Sequence, residues 1–184
     1  MRRLFALLVI VFVISRIWAY SVGVRFDDYS NTSNIHLYAT EAMKENLWES
    51  LWFGHAQPPI YSLLMHLTGM NGMFVHILWM ILGMTAGYAI FKITLNLTRQ
   101  GVLSGFAALI WMICPSTILF ENLIFYTYPT ACMLIFAAWA IQRGHLITFS
   151  VLCCMICLTR SLFHPFIWLT PCVILASYLS LRRS

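Results

Sequence analysis

Two adjacent carboxylates, Asp27 and Asp28, come soon after the first long apolar run of the chain. Neighbouring acids at a low-dielectric surface repel, so one of them should hold its proton to a higher pH than usual. A carboxylate so placed can serve as a general base toward a hydroxyl. The competing reading is a hydrated acidic loop, and position alone favours that one. The other acids are Glu41, Glu45, Glu49 and Glu121. Once the spans are oriented by charge, all six acids fall on the same, non-cytoplasmic side. That concentration suggests chemistry or cation binding on an outer rim.

The elements that must carry these acids are set by composition. The chain has 184 residues, of which 61% are hydrophobic and 9% charged; soluble domains carry about 25% charged residues. A bilayer span takes about 20 residues. The length therefore accommodates one all-α polytopic membrane domain over 1–184, with about six transmembrane helices. The spans are expected at 4–20, 73–95, 102–119, 130–141, 145–159 and 166–181. Residues 21–58 form an outer loop, and 59–184 hold the remaining membrane helices. Within the loop, Met43, Leu47 and Leu51 make one stripe and Glu41, Glu45 and Glu49 the opposite one. With Trp48 and Trp52 following, this reads as an amphipathic helix lying in the interface. The three glutamates are then a solvated face. Pro58-Pro59 opens a short helix that Gly69 and Asn71-Gly72 end.

Arg2, Arg3, Lys92, Arg99, Arg143, Arg182 and Arg183 lie at span ends assigned to the cytoplasm, against Arg25, Lys44 and Arg160 outside. This follows the positive-inside rule and predicts both termini in the cytoplasm of a bacterial inner membrane or the endoplasmic reticulum. The formal charge of +5 is thus a topology signal. Scattered at span ends, the bases form no nucleic-acid stripe. Arg16, inside the last third of the first span, either snorkels outward or faces a polar cavity. The cysteines lie in or beside apolar spans without zinc spacing and read as small packing residues. His66 and His76 read as packed polar residues, and no metal site is expected. A rhomboid-type protease is excluded because Gly101-Val102-Leu103-Ser104-Gly105 has the wrong spacing at the wrong end. Span centres are apolar, which argues against a transporter.

The segment His55-Ala56-Gln57-Pro58-Pro59-Ile60-Tyr61, placed after Asp27-Asp28 and an interfacial helix, resembles the first outer loop of GT-C integral-membrane glycosyltransferases. The similarity is to the dolichyl-phosphate-mannose mannosyltransferase and aminoarabinose-transferase branches. It covers residues 1–70 best, the N-terminal part of such a protein. Glu121 with Tyr126-x-Tyr128-Pro129, and Arg160-Ser161-x-x-His164, are similar to outer-edge features of the family but less specific. The resemblance implies inverting transfer of a sugar from a polyprenyl-phosphate donor on the non-cytoplasmic face. Asp27 or Asp28 would be the base, and His55, Gln57, Glu121, Tyr128, Arg160 and His164 would bind substrate. Arg160 suits the phosphate because guanidinium binds it bidentately. No cofactor is called for, with a divalent cation at the acidic pair left open. Family members have more spans, so this chain reads as an N-terminal fragment, a minimal form or a degenerate member, with the missing helices open to supply by a partner subunit. The alternative is a non-catalytic multi-pass protein that binds a lipid or a partner protein.

Overall fold

The computed structural model describes residues 2–26, 45–49, 59–69 and 71–159, and every regular element among them is helical. Helix α1, Arg2–Ser21, matches the expected first span. Its inward stripe is Leu8, Phe12, Arg16 and Ala19, spaced as one helical face requires. Leu7, Ile10, Ile14, Ile17 and Trp18 stay exposed on the other side. The helix closes in a glycine turn. Gly23 sits at φ +99, with hydrogen bonds from Gly23 N–H to the Tyr20 carbonyl and from Val24 N–H to the Ala19 carbonyl. This is the Schellman pattern, which returns the chain over the helix end.

Helix α2, Pro59–Leu67, starts on proline as expected. Helix α3, Gly72–Thr98, is the longest. The Asn71 side chain caps it by accepting from the N–H groups of Met73 and Phe74, at 3.0 and 3.4 Å. Arg99, in the left-handed region, ends it.

The expected span over 102–119 is two helices, not one. Helix α4, Gly101–Ile113, and helix α5, Pro115–Glu121, meet at a bend of 50°. Pro115 has no N–H to give the Trp111 carbonyl, and its ring clashes with a continuing helix. It also pushes Cys114 out of the helical region, to ψ 127. Helix α6, Thr127–Gln142, starts earlier than expected. Tyr128 and Pro129 therefore lie buried in its first turn instead of in an outer turn. Helix α7 is Leu146–Thr159. The sixth span and nearly all of the interfacial helix lie outside the described residues.

Helix α3 is the centre: α4 and α6 pack along it, α7 along α6, and α1 along α4. One core joins Tyr61 and Met65 of α2, Val75, Trp79 and Ala86 of α3, Ile124, and Tyr128 and Cys132 of α6. A second joins Leu8 and Phe12 of α1 to Phe91, Ala108 and Met112. Among the described residues, α1 and α3 are long and apolar enough to cross a membrane, and the bent α4–α5 pair makes a third if counted as one span. Helix α6, of 16 residues, falls short of the usual crossing length, and α7 has 14 residues among those described.

Candidate functional site

The first site feature is a buried ion pair. Arg16 points inward from α1 and is only 8% exposed, and Glu121, the last residue of α5, is fully buried. The guanidinium and carboxylate meet side-on. Nε donates to Oε1 at 2.9 Å and Nη2 to Oε2 at 2.5 Å. This bidentate fork is the strongest geometry available to the pair. Nη1 donates to Ser15 Oγ at 2.9 Å and to the Met112 carbonyl. The bend explains that last contact. Met112 would accept from the N–H of residue 116 if α4 continued, and Pro115 prevents this. Arg16 takes up the freed carbonyl, and the Phe12 ring lies 3.7 Å from the guanidinium carbon.

Tyr128 completes the cluster, its hydroxyl donating to Glu121 Oε2 at 2.9 Å. The room for this contact comes from Gly83 on α3. A Cβ there would come within 2.0 Å of the Tyr128 oxygen and 3.0 Å of Glu121 Oε2. Two tryptophans wall the tyrosine. The Trp111 ring stacks on it at 6.4 Å and donates from Nε1 to the Gly83 carbonyl at 3.2 Å. Trp79 lies 6.5 Å away and donates to the Leu123 carbonyl. The result is a polar latch joining α1, α4, α5 and α6, with α3 leaving room for it at Gly83. Arg16 thus neither snorkels nor meets open solvent, and Glu121 is no part of a hydrated rim.

The second feature is a cleft of about 350 Å3 where α1 ends and α3 begins. Arg16, Ile17, Ala19 and Tyr20 form one wall, and His76 and Met80 the other. Val24 and Phe26, returned by the Gly23 turn, close one side, and Asn122 lies at the margin. Phe26 stacks on the His76 imidazole, with centroids 4.7 Å apart. Arg25, between Val24 and Phe26 in the chain, is exposed. Its Nη1 donates to the Tyr20 carbonyl and, at 3.2 Å, to the Val24 carbonyl, and its guanidinium lies 3.6 Å from the centre of the Tyr20 ring.

Of the residues expected to act, the structure brings Glu121 and Tyr128 together. Asp27, Asp28, His55, Gln57, Arg160 and His164 lie outside the described residues. His76 packs against Phe26 and also lines the cleft. Sequence reasoning missed one pairing. The Arg16–Glu121 pairing had one available signal, a charge inside an apolar span, which needs a counter-charge somewhere. Among the described residues, no three His, Cys, Asp or Glu side chains group as a metal site would require. Comparison of the chain with family models, curated proteins and solved structures found no match.

Proposed function

We propose that the protein is a membrane glycosyltransferase that takes its sugar from a polyprenyl-phosphate donor on the non-cytoplasmic face. One observation carries the reading. The cleft at the end of α1 is largely apolar, is lined by Tyr20, over whose ring the Arg25 guanidinium lies, and is bordered by Phe26, the residue that precedes Asp27 in the chain. A lipid-linked donor combines a chain for such a cleft with a phosphate for the cation. An acidic pair next in sequence is where a base for the acceptor hydroxyl would be needed. In this reading the donor phosphate leaves as the hydroxyl attacks the anomeric carbon. Arg160 and His164 stabilise the leaving group, while His55 and Gln57 position the sugar. The proposed topology has six spans, both termini in the cytoplasm, and an interfacial helix in the outer loop. A partner subunit would supply further helices.

A second reading has an observation of its own. Glu121 and Tyr128 are spent on Arg16 and on each other, as a structural latch would have them. This favours a non-catalytic membrane protein that holds a lipid. The test is release of polyprenyl phosphate from polyprenyl-phosphate-linked mannose or aminoarabinose by the purified full chain in the presence of a panel of hydroxyl acceptors, with the sugar recovered on the acceptor or, where water attacks, as free sugar. Asp27→Asn or Asp28→Asn is expected to lower turnover by a factor of about 10²–10⁴. Full turnover in both variants would leave the acidic pair a hydrated loop. No turnover in the wild type would favour the lipid-holding protein.

A further inference from the structure

We infer that the seam between the ends of α3 and α6 holds the headgroup of an anionic membrane phospholipid, gripped by Lys92 and Arg143. These are the ends that the placement of basic residues assigns to the cytoplasm. The site is thus at the opposite end of α3 from the cleft, and it does not depend on the transferase reading.

Lys92 is a charge without a counter-charge. It is half-buried and lies six residues inside the end of α3 at Thr98, about 9 Å along the helix axis. A lysine near a span end commonly snorkels toward water. This one folds the other way, with Nζ 5.4 Å from the ring centre of Tyr88, one turn deeper. Arg143, which ends α6, does the same, its guanidinium 4.7 Å from the ring of Trp139. Neither cation meets a carboxylate among the described residues, where the one ion pair is Arg16 with Glu121. The sequence explains why. Between residues 50 and 120, and after residue 121, the chain has no acid at all. The anion for these two cations must come from outside the chain.

The two cations share one seam. Tyr88 and Trp139 meet edge to face across it, with centroids 6.1 Å apart, so Lys92 and Arg143 are each held on one ring of a single aromatic pair. Hydrogen bonds fix the register of the two helices there. Asn96 Nδ2 donates to Gln142 Oε1 at 3.1 Å, and Gln142 Nε2 to the Ile93 carbonyl at 3.0 Å. Phe5 of α1 backs the pair, its ring 4.9 Å from that of Tyr88. Tyrosine and tryptophan at the end of a span mark the headgroup level of a bilayer, and basic pockets between helices at that level suit anionic headgroups. Phosphate fits both cations, the guanidinium as a fork and the ammonium as a point charge. Net charge selects among lipids. Arg99 and His145 are exposed at the same helix ends, so the quaternary ammonium of a zwitterionic lipid would find cations and no acid.

The experiment is native mass spectrometry of the full chain in detergent, titrated with dioleoyl phosphatidylglycerol, dioleoyl phosphatidylcholine and inorganic phosphate. Phosphatidylglycerol is expected to bind more tightly than phosphatidylcholine, and inorganic phosphate not to displace it at equal concentration. Lys92→Gln and Arg143→Gln should each weaken phosphatidylglycerol by about fivefold and leave phosphatidylcholine unchanged. Arg99→Gln removes the same charge from the end of α3 but away from the aromatic pair, and should bind like wild type. Arg143 is exposed, so its variant carries the test alone if Lys92→Gln does not fold. Equal binding of the two lipids would overturn the inference, as would an Arg143→Gln variant that binds like wild type. An equal loss in Arg99→Gln would also overturn it, leaving diffuse attraction to a charged surface. Displacement by inorganic phosphate would leave an anion site without a lipid, and that too would defeat it. None of these readouts involves sugar transfer, so this inference and the transferase reading fail separately.

Discussion

Arg16 and Glu121 show how a charge pair can be indispensable without being a large source of stability. Removing two charges from water costs nearly what their attraction returns, so a buried pair gains little over apolar residues of similar size. Breaking it is another matter, because the survivor is left charged and dry. Glu121→Gln is therefore expected to cost about 3–5 kcal/mol, measured as reversible unfolding in mixed detergent. The double variant Arg16→Met with Glu121→Met should recover most of that loss. If Glu121→Gln unfolds like wild type, the pair is not holding the helices together. Gly83 allows a sharper test. An alanine methyl there collides with the Tyr128 hydroxyl, and overpacking of this kind costs about 1–3 kcal/mol. In a Tyr128→Phe background the colliding oxygen is gone, so Gly83→Ala should cost much less. Additive effects of the two changes would contradict the contact.

At the scale of elements, the α4–α5 bend decides where Glu121 goes. Proline is the worst residue for a helix interior, by about 3 kcal/mol against alanine, so Pro115→Ala would stabilise an isolated helix. Here it should destabilise the protein. A straightened α4–α5 would give the Met112 carbonyl an intrahelical partner and carry Glu121 away from Arg16. Unfolding that shifts toward greater stability would show that the bend is not coupled to the latch. The Gly23 turn is a second element with a job. Its φ of +99 is open to glycine but strained for other residues, and an added Cβ would touch nothing within 4 Å. The expected cost of Gly23→Ala is thus purely backbone strain, about 1–2 kcal/mol, without a packing clash. That strain acts on the turn that brings Val24 and Phe26 to the cleft.

For the whole molecule, orientation is the prediction with the widest reach. Basic residues at the ends of α3 and α6 argue that these ends face the cytoplasm and that the loop after α1 faces away. A cysteine at Ser30, in a background with the native cysteines replaced, should react with an impermeant maleimide in intact cells. Reaction only after permeabilisation would reverse the orientation and remove the outer-face assignment of Asp27, Asp28 and the cleft mouth. Cys154 is exposed on α7, so leaving it in place would blur the result.

Much of the local architecture was legible from residue order alone. The limits of α1, the proline start of α2 and its end before Gly69 are written in short-range signals: an apolar run, a proline without an N–H, a glycine that breaks a helix. Those signals act within a turn or two, so one sequence suffices to read them. Pro115 was also visible, but its consequence was not. A proline near a helix end can be absorbed or can redirect the chain, and packing against α1 and α3 selects between these outcomes. The latch was least legible of all. Arg16 and Glu121 stand 105 positions apart, and no spacing rule links them. The polar or snorkelling fate of Arg16 could be posed from the sequence as a question about an unpaired charge in an apolar helix. Only the tertiary structure answers it, because the partner is chosen by which helices pack together, and the cost of burying a charge alone makes that choice binding.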